Sequence, residues 1–163
     1  MHVKQMPFIR KKFIYATEFA KAKTADIVGK DKLNEAQVLE ADYFENSVLV
    51  NDGKGNFTVK PLTYKAQWTP YYDAQIIDAN GDKLPDVLIM GNFYNCNIQM
   101  GRYDADFGTV LINKGNCNFL PVPMNGLQIK GQVKKLKKIQ LVSGEAIVAA
   151  RNDDKLVVIK RKN

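Results

Sequence analysis

The ten residues VLVNDGKGNF at 48–57 return as VLINKGNCNF at 110–119. Val48, Leu49, Asn51, Gly53, Asn56 and Phe57 recur as Val110, Leu111, Asn113, Gly115, Asn118 and Phe119, an offset of 62 residues (110 − 48). Six identities in ten positions exceed what two unrelated hairpins are expected to share. A repeat of this size is a supersecondary unit that buries its apolar face by stacking on a neighbour, so it restricts the fold more than any single segment does.

Each copy reads as a β-hairpin. A short apolar strand enters a turn of Asn, Asp and Gly, where glycine accepts positive φ without steric cost, and a second strand begins at Phe. After the first copy comes IIDANGDKLPDVLIMGN at 76–92; the corresponding place after the second is KIQLVSGEAIVAARN at 138–152. Strand, turn and strand persist there, but the carboxylates of the first loop have gone. Further apolar or alternating stretches fall near 37–44, 57–62, 72–78, 108–112, 127–133, 139–142 and 155–160. Many short strands separated by turn residues predict a mainly β chain: a sandwich, barrel or propeller.

Residues 1–36 differ. YATEFAKAKTADIVGKDKLNEAQ is rich in Ala, Lys and Glu. It predicts two or three short helices with Phe19, Ala20, Ile27, Leu33 and Ala36 as buried positions, Thr17, Thr24 and Asp31 as N-caps, and Gly29 as a break. The expected organisation is a helical segment or insertion at 1–36, then a β-repeat domain at 37–163 in two units, about 37–100 and 101–163.

The loop DANGDKLPD at 78–86 carries the most specific chemistry. Counted from Asp78, side-chain oxygens fall at positions 1 (Asp78), 3 (Asn80), 5 (Asp82) and 9 (Asp86), and the backbone carbonyl of Leu84 is available at position 7. Calcium is a hard cation that takes six to eight oxygens, and alternate spacing lets a curled loop aim several of them inward. An EF-hand shares this opening but requires Gly at position 6 and Glu at position 12, where this chain has Lys83 and Ile89. The flanks also read as strands, so the EF-hand is excluded. Asp, Asn and Gly equally favour a plain hairpin turn. Yet three carboxylates in nine residues repel one another, a cost that a bare turn has no reason to bear.

Asp78-x-Asn80-Gly81-Asp82-x-x-x-Asp86 followed by Val87-Leu88-Ile89 resembles the calcium loop of FG-GAP (VCBS) repeats, Asp-x-Asp/Asn-x-Asp-Gly-x-x-Asp before an apolar strand. LVNDGKGNF and LINKGNCNF resemble the hairpin that this family places between its calcium loops. GRYDADFGTVLINKGN resembles the C-terminal part of large bacterial FG-GAP proteins. Membership would imply four-stranded antiparallel blades of a β-propeller, as in the head of integrin α-subunits. It would also imply Ca²⁺ at Asp78, Asn80, Asp82, Leu84 and Asp86, an extracytoplasmic location, and a non-enzymatic binding or scaffolding role. Lys83 departs from the pattern, which has glycine there. With about two units, the chain would rely on further blades of a longer protein or on self-association to close a ring.

Other chemistry is thinly represented. The single histidine, His2, makes Ser-His-Asp and Cys-His catalysis improbable, and no phosphate-cradling glycine loop occurs. Cys96 and Cys117 lack metal-ligand spacing and are expected as free thiols, with a disulfide left open. The net charge of +7 gathers in Arg10-Lys11-Lys12, Lys134-Lys135 with Lys137-Lys138, and Lys160-Arg161-Lys162. None is interleaved with stacking aromatics, so a solvated basic face is expected and nucleic acid is not. No apolar run is long enough to span a bilayer, and the N-terminus lacks the pattern of a signal peptide.

An alternative reading is a carbohydrate-binding or glycan-hydrolysing module. Tyr64, Trp68, Tyr71, Tyr72, Phe93, Tyr94, Tyr103 and Phe107 cluster in sequence, and about two-thirds of them are expected in the core. The candidate ligand surface is Trp68, Tyr72, Tyr94, Arg102, Tyr103 and Asp104, and Asp104 with Asp106 is the only carboxylate pair outside the loop that suits hydrolysis.

Overall fold

A computed structural model describes residues 6–124 and 126–160. His2, Arg161 and Lys162 lie outside the described residues. The chain divides into two compact units, Met1–Tyr43 and Phe44–Asn163.

Among the described residues the first unit contains four short helices: α1 (Phe8–Lys12), α2 (Ala16–Lys21), α3 (Thr24–Val28) and α4 (Lys30–Asn34). Helices of five or six residues are marginal alone, so local contacts matter. The rings of Phe13 and Phe19 meet edge to face at 5.7 Å, and Asp26 accepts the Lys23 N–H at the start of α3 (2.9 Å). Gly29, at φ 100, separates α3 from α4 as expected. The expected caps are displaced. Thr17 lies inside α2, Thr24 is the first residue of α3 and Asp31 lies within α4, while Tyr15, Lys23 and Gly29 hold the cap positions. Phe19 and Ile27 are half-buried and Ala20, Leu33 and Ala36 exposed; Ile9 is the buried hydrophobic residue of this unit among the described residues.

The second unit is mainly β, with three antiparallel sheets and no closed barrel among the described residues. β1 (Ser47–Asn51) pairs with β2 (Phe57–Pro61). β3 (Tyr71–Ile77), β4 (Asp86–Gly91), β5 (Thr109–Asn113) and β6 (Phe119–Pro123) form a four-stranded meander. β7 (Val133–Leu141), β8 (Gly144–Arg151) and β9 (Val157–Lys160) form a three-stranded one. Residues 37–44 form no strand and are exposed, and within 127–133 only Val133 enters one. Gly126 and Gly131, at φ 72 and 104, turn the chain there. The split expected near 100/101 is crossed by the four-stranded sheet, because its third and fourth strands follow the long connection 92–108.

The repeat extends to strand register. The pairs Ser47↔Pro61 to Asn51↔Phe57 recur as Thr109↔Pro123 to Asn113↔Phe119, again 62 residues on. Ala74↔Ile89 to Ile77↔Asp86 recur as Leu136↔Ala149 to Ile139↔Ala146, and both hairpins shift register near their start, between Tyr71 and Asp73 and between Val133 and Lys135. The first strand is offset by 62 and the second by 60, so the connecting loop has lost two residues. Val142 and Ser143 form a tight turn where the 78–86 loop stood.

Alternation places the two faces of the four-stranded sheet in separate cores. Leu88, Met90, Val110 and Ile112 pack with Ile129, Val133, Leu136, Ile147 and Ala149 on one side. Ile89 and Leu111 pack with Ala66, in the 3₁₀ turn Tyr64–Ala66, on the other. Each fully buried Leu or Met contributes about 1.5–3 kcal/mol of transfer free energy. Aliphatic side chains therefore fill the space that aromatics were expected to fill. None of the eight clustered aromatics is fully buried: Tyr64, Trp68, Tyr72 and Tyr103 are exposed, and Tyr71, Phe93, Tyr94 and Phe107 half-buried.

Candidate functional site

The 78–86 loop joins β3 to β4 and is curled by two residues in left-handed conformation, Gly81 (φ 83) and Lys83 (φ 65). Glycine reaches this region freely, whereas a residue with a Cβ does so at a cost of about 1–2 kcal/mol. Asp78 accepts the N–H groups of Gly81 (2.7 Å) and Lys83 (3.3 Å). Asn80 Nδ2 donates to Asp82 Oδ2 (2.8 Å), while Asn80 Oδ1 accepts from the Asp82 N–H (3.0 Å). Asp82 Oδ1 accepts the Leu84 N–H (2.8 Å). That bond, the Asn80 amide and the nearby Lys114 hold the Asp82 carboxyl below the usual aspartate range.

Asp86 differs from the other three, being fully buried. Its Oδ2 accepts the Ala79 N–H (2.9 Å), closing the loop, and its Oδ1 accepts the Asn113 N–H (2.8 Å) at the end of β5. Asn113 in turn donates from Nδ2 to the Pro85 carbonyl (3.2 Å). A buried carboxylate is tolerated where each oxygen receives a hydrogen bond.

The donor chemistry suits a hard cation. Asp78, Asn80 and Asp82 bring two carboxylates and an amide to the outer part of one loop, and each carboxylate oxygen has lone pairs beyond those its N–H partners use. Among the described residues, no three acidic, histidine or cysteine side chains are gathered as a metal cluster. A bound cation would be held by Asp78, Asn80 and Asp82 with Asp86 behind them, and would neutralise their mutual repulsion.

The aromatic candidates separate into three places. Tyr94 O–H donates to Asp104 Oδ1 (2.6 Å), and the Arg102 guanidinium lies 4.6 Å from the Tyr94 ring centroid. Partial burial first, and then the Asp104 carboxylate, push the Tyr94 phenol up to about 12. Tyr103 pairs with Phe93 by a two-way backbone bridge, their rings 6.3 Å apart. Four of the candidates, Tyr94, Arg102, Tyr103 and Asp104, thus share the 92–108 connection. Tyr72 is elsewhere, with Lys134 Nζ 3.7 Å from its ring. Trp68 lines a small recess of about 210 Å³ with Lys65, Phe107, Pro121 and Asp106.

Asp106 does not share the exposure of Asp104. It is 3% exposed; its oxygens accept from Thr109 Oγ1 (3.0 Å) and the Gly91 N–H (3.3 Å). Burial raises its carboxyl above the usual range. Asn92, absent from the sequence-based candidates, organises this region. Buried and at φ 78, it donates from Nδ2 to the carbonyls of Asp106 (2.7 Å) and Gly131 (3.0 Å), and its Oδ1 accepts the Asp106 N–H (2.9 Å). An Asn in a GN dipeptide at a strand end was the available signal, since Asn tolerates positive φ.

Three of the basic residues on β7 are spoken for. Lys134 covers Tyr72, Lys135 Nζ lies 3.2 Å from Asp73, and Lys138 Nζ lies 3.5 Å from Glu145. Cys96 and Cys117 are both free. No helix among the described residues is long and apolar enough to cross a membrane.

No protein-family model, curated protein or solved structure matches the chain.

Proposed function

We propose that this chain is a non-enzymatic binding or scaffolding module of the FG-GAP type, its repeats arranged as propeller blades and its 78–86 loop stiffened by Ca²⁺. The observation that carries the reading is the repetition of strand register at 62 residues, with the one loop that keeps its carboxylates curled by Gly81 and Lys83. β3–β6 corresponds to a whole blade, β1–β2 to the outer half of one before it, and β7–β9 to most of the next. Ca²⁺ would supply no reaction here, only charge neutralisation that fixes the loop against β5 through Asp86. An extracytoplasmic location, where calcium is plentiful, belongs to the same proposal.

Thermal unfolding of wild type and Asp82→Ala, in calcium and in chelator, tests it. A ligand that binds only the native state raises the midpoint as its concentration rises. The wild-type midpoint should rise with calcium and that of Asp82→Ala should not; a wild-type midpoint indifferent to chelator removes the metal. A glycan-binding reading is favoured by one observation, the joining of Tyr94, Arg102 and Asp104 on the single 92–108 connection. Saturable glycan binding abolished by Asp104→Asn would select it instead.

A further inference from the structure

The four-stranded meander defines the place of every other strand in the repeat. β1 and β2 hold the register of β5 and β6, so they are a third and a fourth strand. β7 and β8 hold the register of β3 and β4. β9 completes the set: Val87↔Leu111, Leu88↔Val110 and Ile89↔Thr109 recur as Ile147↔Ile159, Val148↔Val158 and Ala149↔Val157. It is a third strand, and no described strand lies beyond it.

The edges of the two sheets are treated differently. β6 carries Pro121 and Pro123, two residues apart. Their missing N–H groups fall on one side of the strand, the side away from β5, and prolines so placed prevent further pairing. β9, Val-Val-Ile-Lys, has no such protection. Beside it a cleft of about 980 Å³ opens between the two sheets, its walls formed by Val122, Met124 and Leu127 and by Ile147 and Ile159, with Asp78, Asn80, Lys138 and Glu145 also in its lining. An unblocked strand edge beside a cleft with apolar walls is a template for strand addition.

We propose that β9 and this cleft receive one extended strand of the fourth-strand type, added antiparallel by a polypeptide segment of the same repeat that lies outside the described residues. This rests on the repeat-module reading. The occupant's character is given by the elements at the equivalent place in the other two sheets, Phe57–Pro61 and Phe119–Pro123. Each is five residues long, begins with Phe and ends with Pro. A second copy of this chain is the wrong occupant. Its β2 and β6 already use their inner edges on β1 and β5.

A fluorescein-labelled peptide of residues 118–124, Asn-Phe-Leu-Pro-Val-Pro-Met, titrated into the whole chain and followed by anisotropy, tests this. Saturable binding is expected, at least tenfold tighter than for a scrambled peptide. Leu127→Lys, at a rim position that is 42% exposed, should weaken binding at least tenfold with its circular dichroism unchanged. The scrambled-peptide comparison uses the wild-type chain alone, so it stands even if the variant misfolds. Equal binding of both peptides, or no saturation, overturns the proposal. So does a concentration-dependent dimer in sedimentation that Leu127→Lys dissolves, which would name a second copy. Run in calcium and in chelator alongside the melts, the titration separates the two readings. A chain that takes the peptide but ignores calcium sinks only the metal, and one that responds to calcium but ignores the peptide sinks only the strand site.

Discussion

Asp86 Oδ1 accepts the backbone N–H of Asn113 at 2.8 Å, so a fully buried carboxylate at the start of β4 ties the 78–86 loop to the repeated β5–β6 hairpin. Asp86→Ala removes the acceptor for two backbone donors, the N–H groups of Ala79 and Asn113. Leaving a buried donor unsatisfied costs about 1–3 kcal/mol. Urea unfolding in chelator should therefore show Asp86→Ala destabilised by about 2–5 kcal/mol. Asp82→Ala, whose partners are exposed, should lose less than about 1 kcal/mol under the same conditions. Equal losses would contradict the assignment of Asp86 as the structural member of the set.

Lys83 occupies a conformation that suits glycine, at φ 65, and glycine is the residue that the FG-GAP pattern carries at this position. Lys83→Gly should raise the unfolding free energy in chelator by up to about 1 kcal/mol, the relief of a Cβ from the left-handed region less the added freedom of the unfolded chain. It should also strengthen calcium binding, because a positive charge leaves the loop. Isothermal titration with calcium reads the second effect, and weaker binding by the variant would count against the loop as the metal site.

Gly91 ends β4 against the chain at Pro70. A Cβ there would lie 2.1 Å from the Pro70 carbonyl oxygen and 2.8 Å from the Tyr71 Cα, both backbone atoms that cannot swing aside. Gly91→Ala should therefore prevent folding or cost more than about 3 kcal/mol. Gly53→Ala makes the contrast: its φ is +78 but nothing lies within 4 Å of the added methyl, so the cost should stay near 1 kcal/mol. Chemical denaturation of the pair separates steric from conformational demands on glycine.

Asp73 links β3 to β7. Its Oδ2 accepts the Leu136 N–H (2.9 Å) and lies 3.2 Å from Lys135 Nζ. Partial burial opposes its ionisation, but the N–H groups of Leu136 and Ala74 and the Lys135 ammonium outweigh it and hold the carboxyl below its ordinary value. With the folded pKa depressed, this group's stabilisation is fully present above the unfolded value of about 3.9. It is lost as pH falls from there through the folded value. The acid limb of a stability–pH curve should flatten below about pH 4 in Asp73→Asn and keep its shape above it. A curve identical to wild type would remove Asp73 from the acid response.

The 62-residue repeat, the hairpin strands and the short apolar runs of β4 and β5 were legible in the sequence because turn chemistry and continuous apolar runs are local properties. So was the loss of the loop aspartates between β7 and β8, visible as QLVSGE at 140–145 in the place of DANGDKLP at 78–85. The helix caps were misplaced because helices of five or six residues carry too little periodic signal to set a boundary. The strand expected at 37–44 failed because apolar residues form a strand only where a neighbour offers an edge, and β1 pairs with β2 alone among the described strands.

Local residue order by itself determined where the chain turns, which stretches extend and which loop collects oxygens. Only the tertiary structure decided which carboxylates are exposed and which one is buried, because Asp86 differs from Asp82 solely in what packs around it. It also decided that Asn92, and none of the aromatics, would sit at the buried junction of the 92–108 connection. Long-range hydrogen bonds such as those from Asn92 to Gly131 and from Leu136 to Asp73 join residues 39 and 63 positions apart. No periodicity within a strand encodes such partners; they exist once the sheets have stacked.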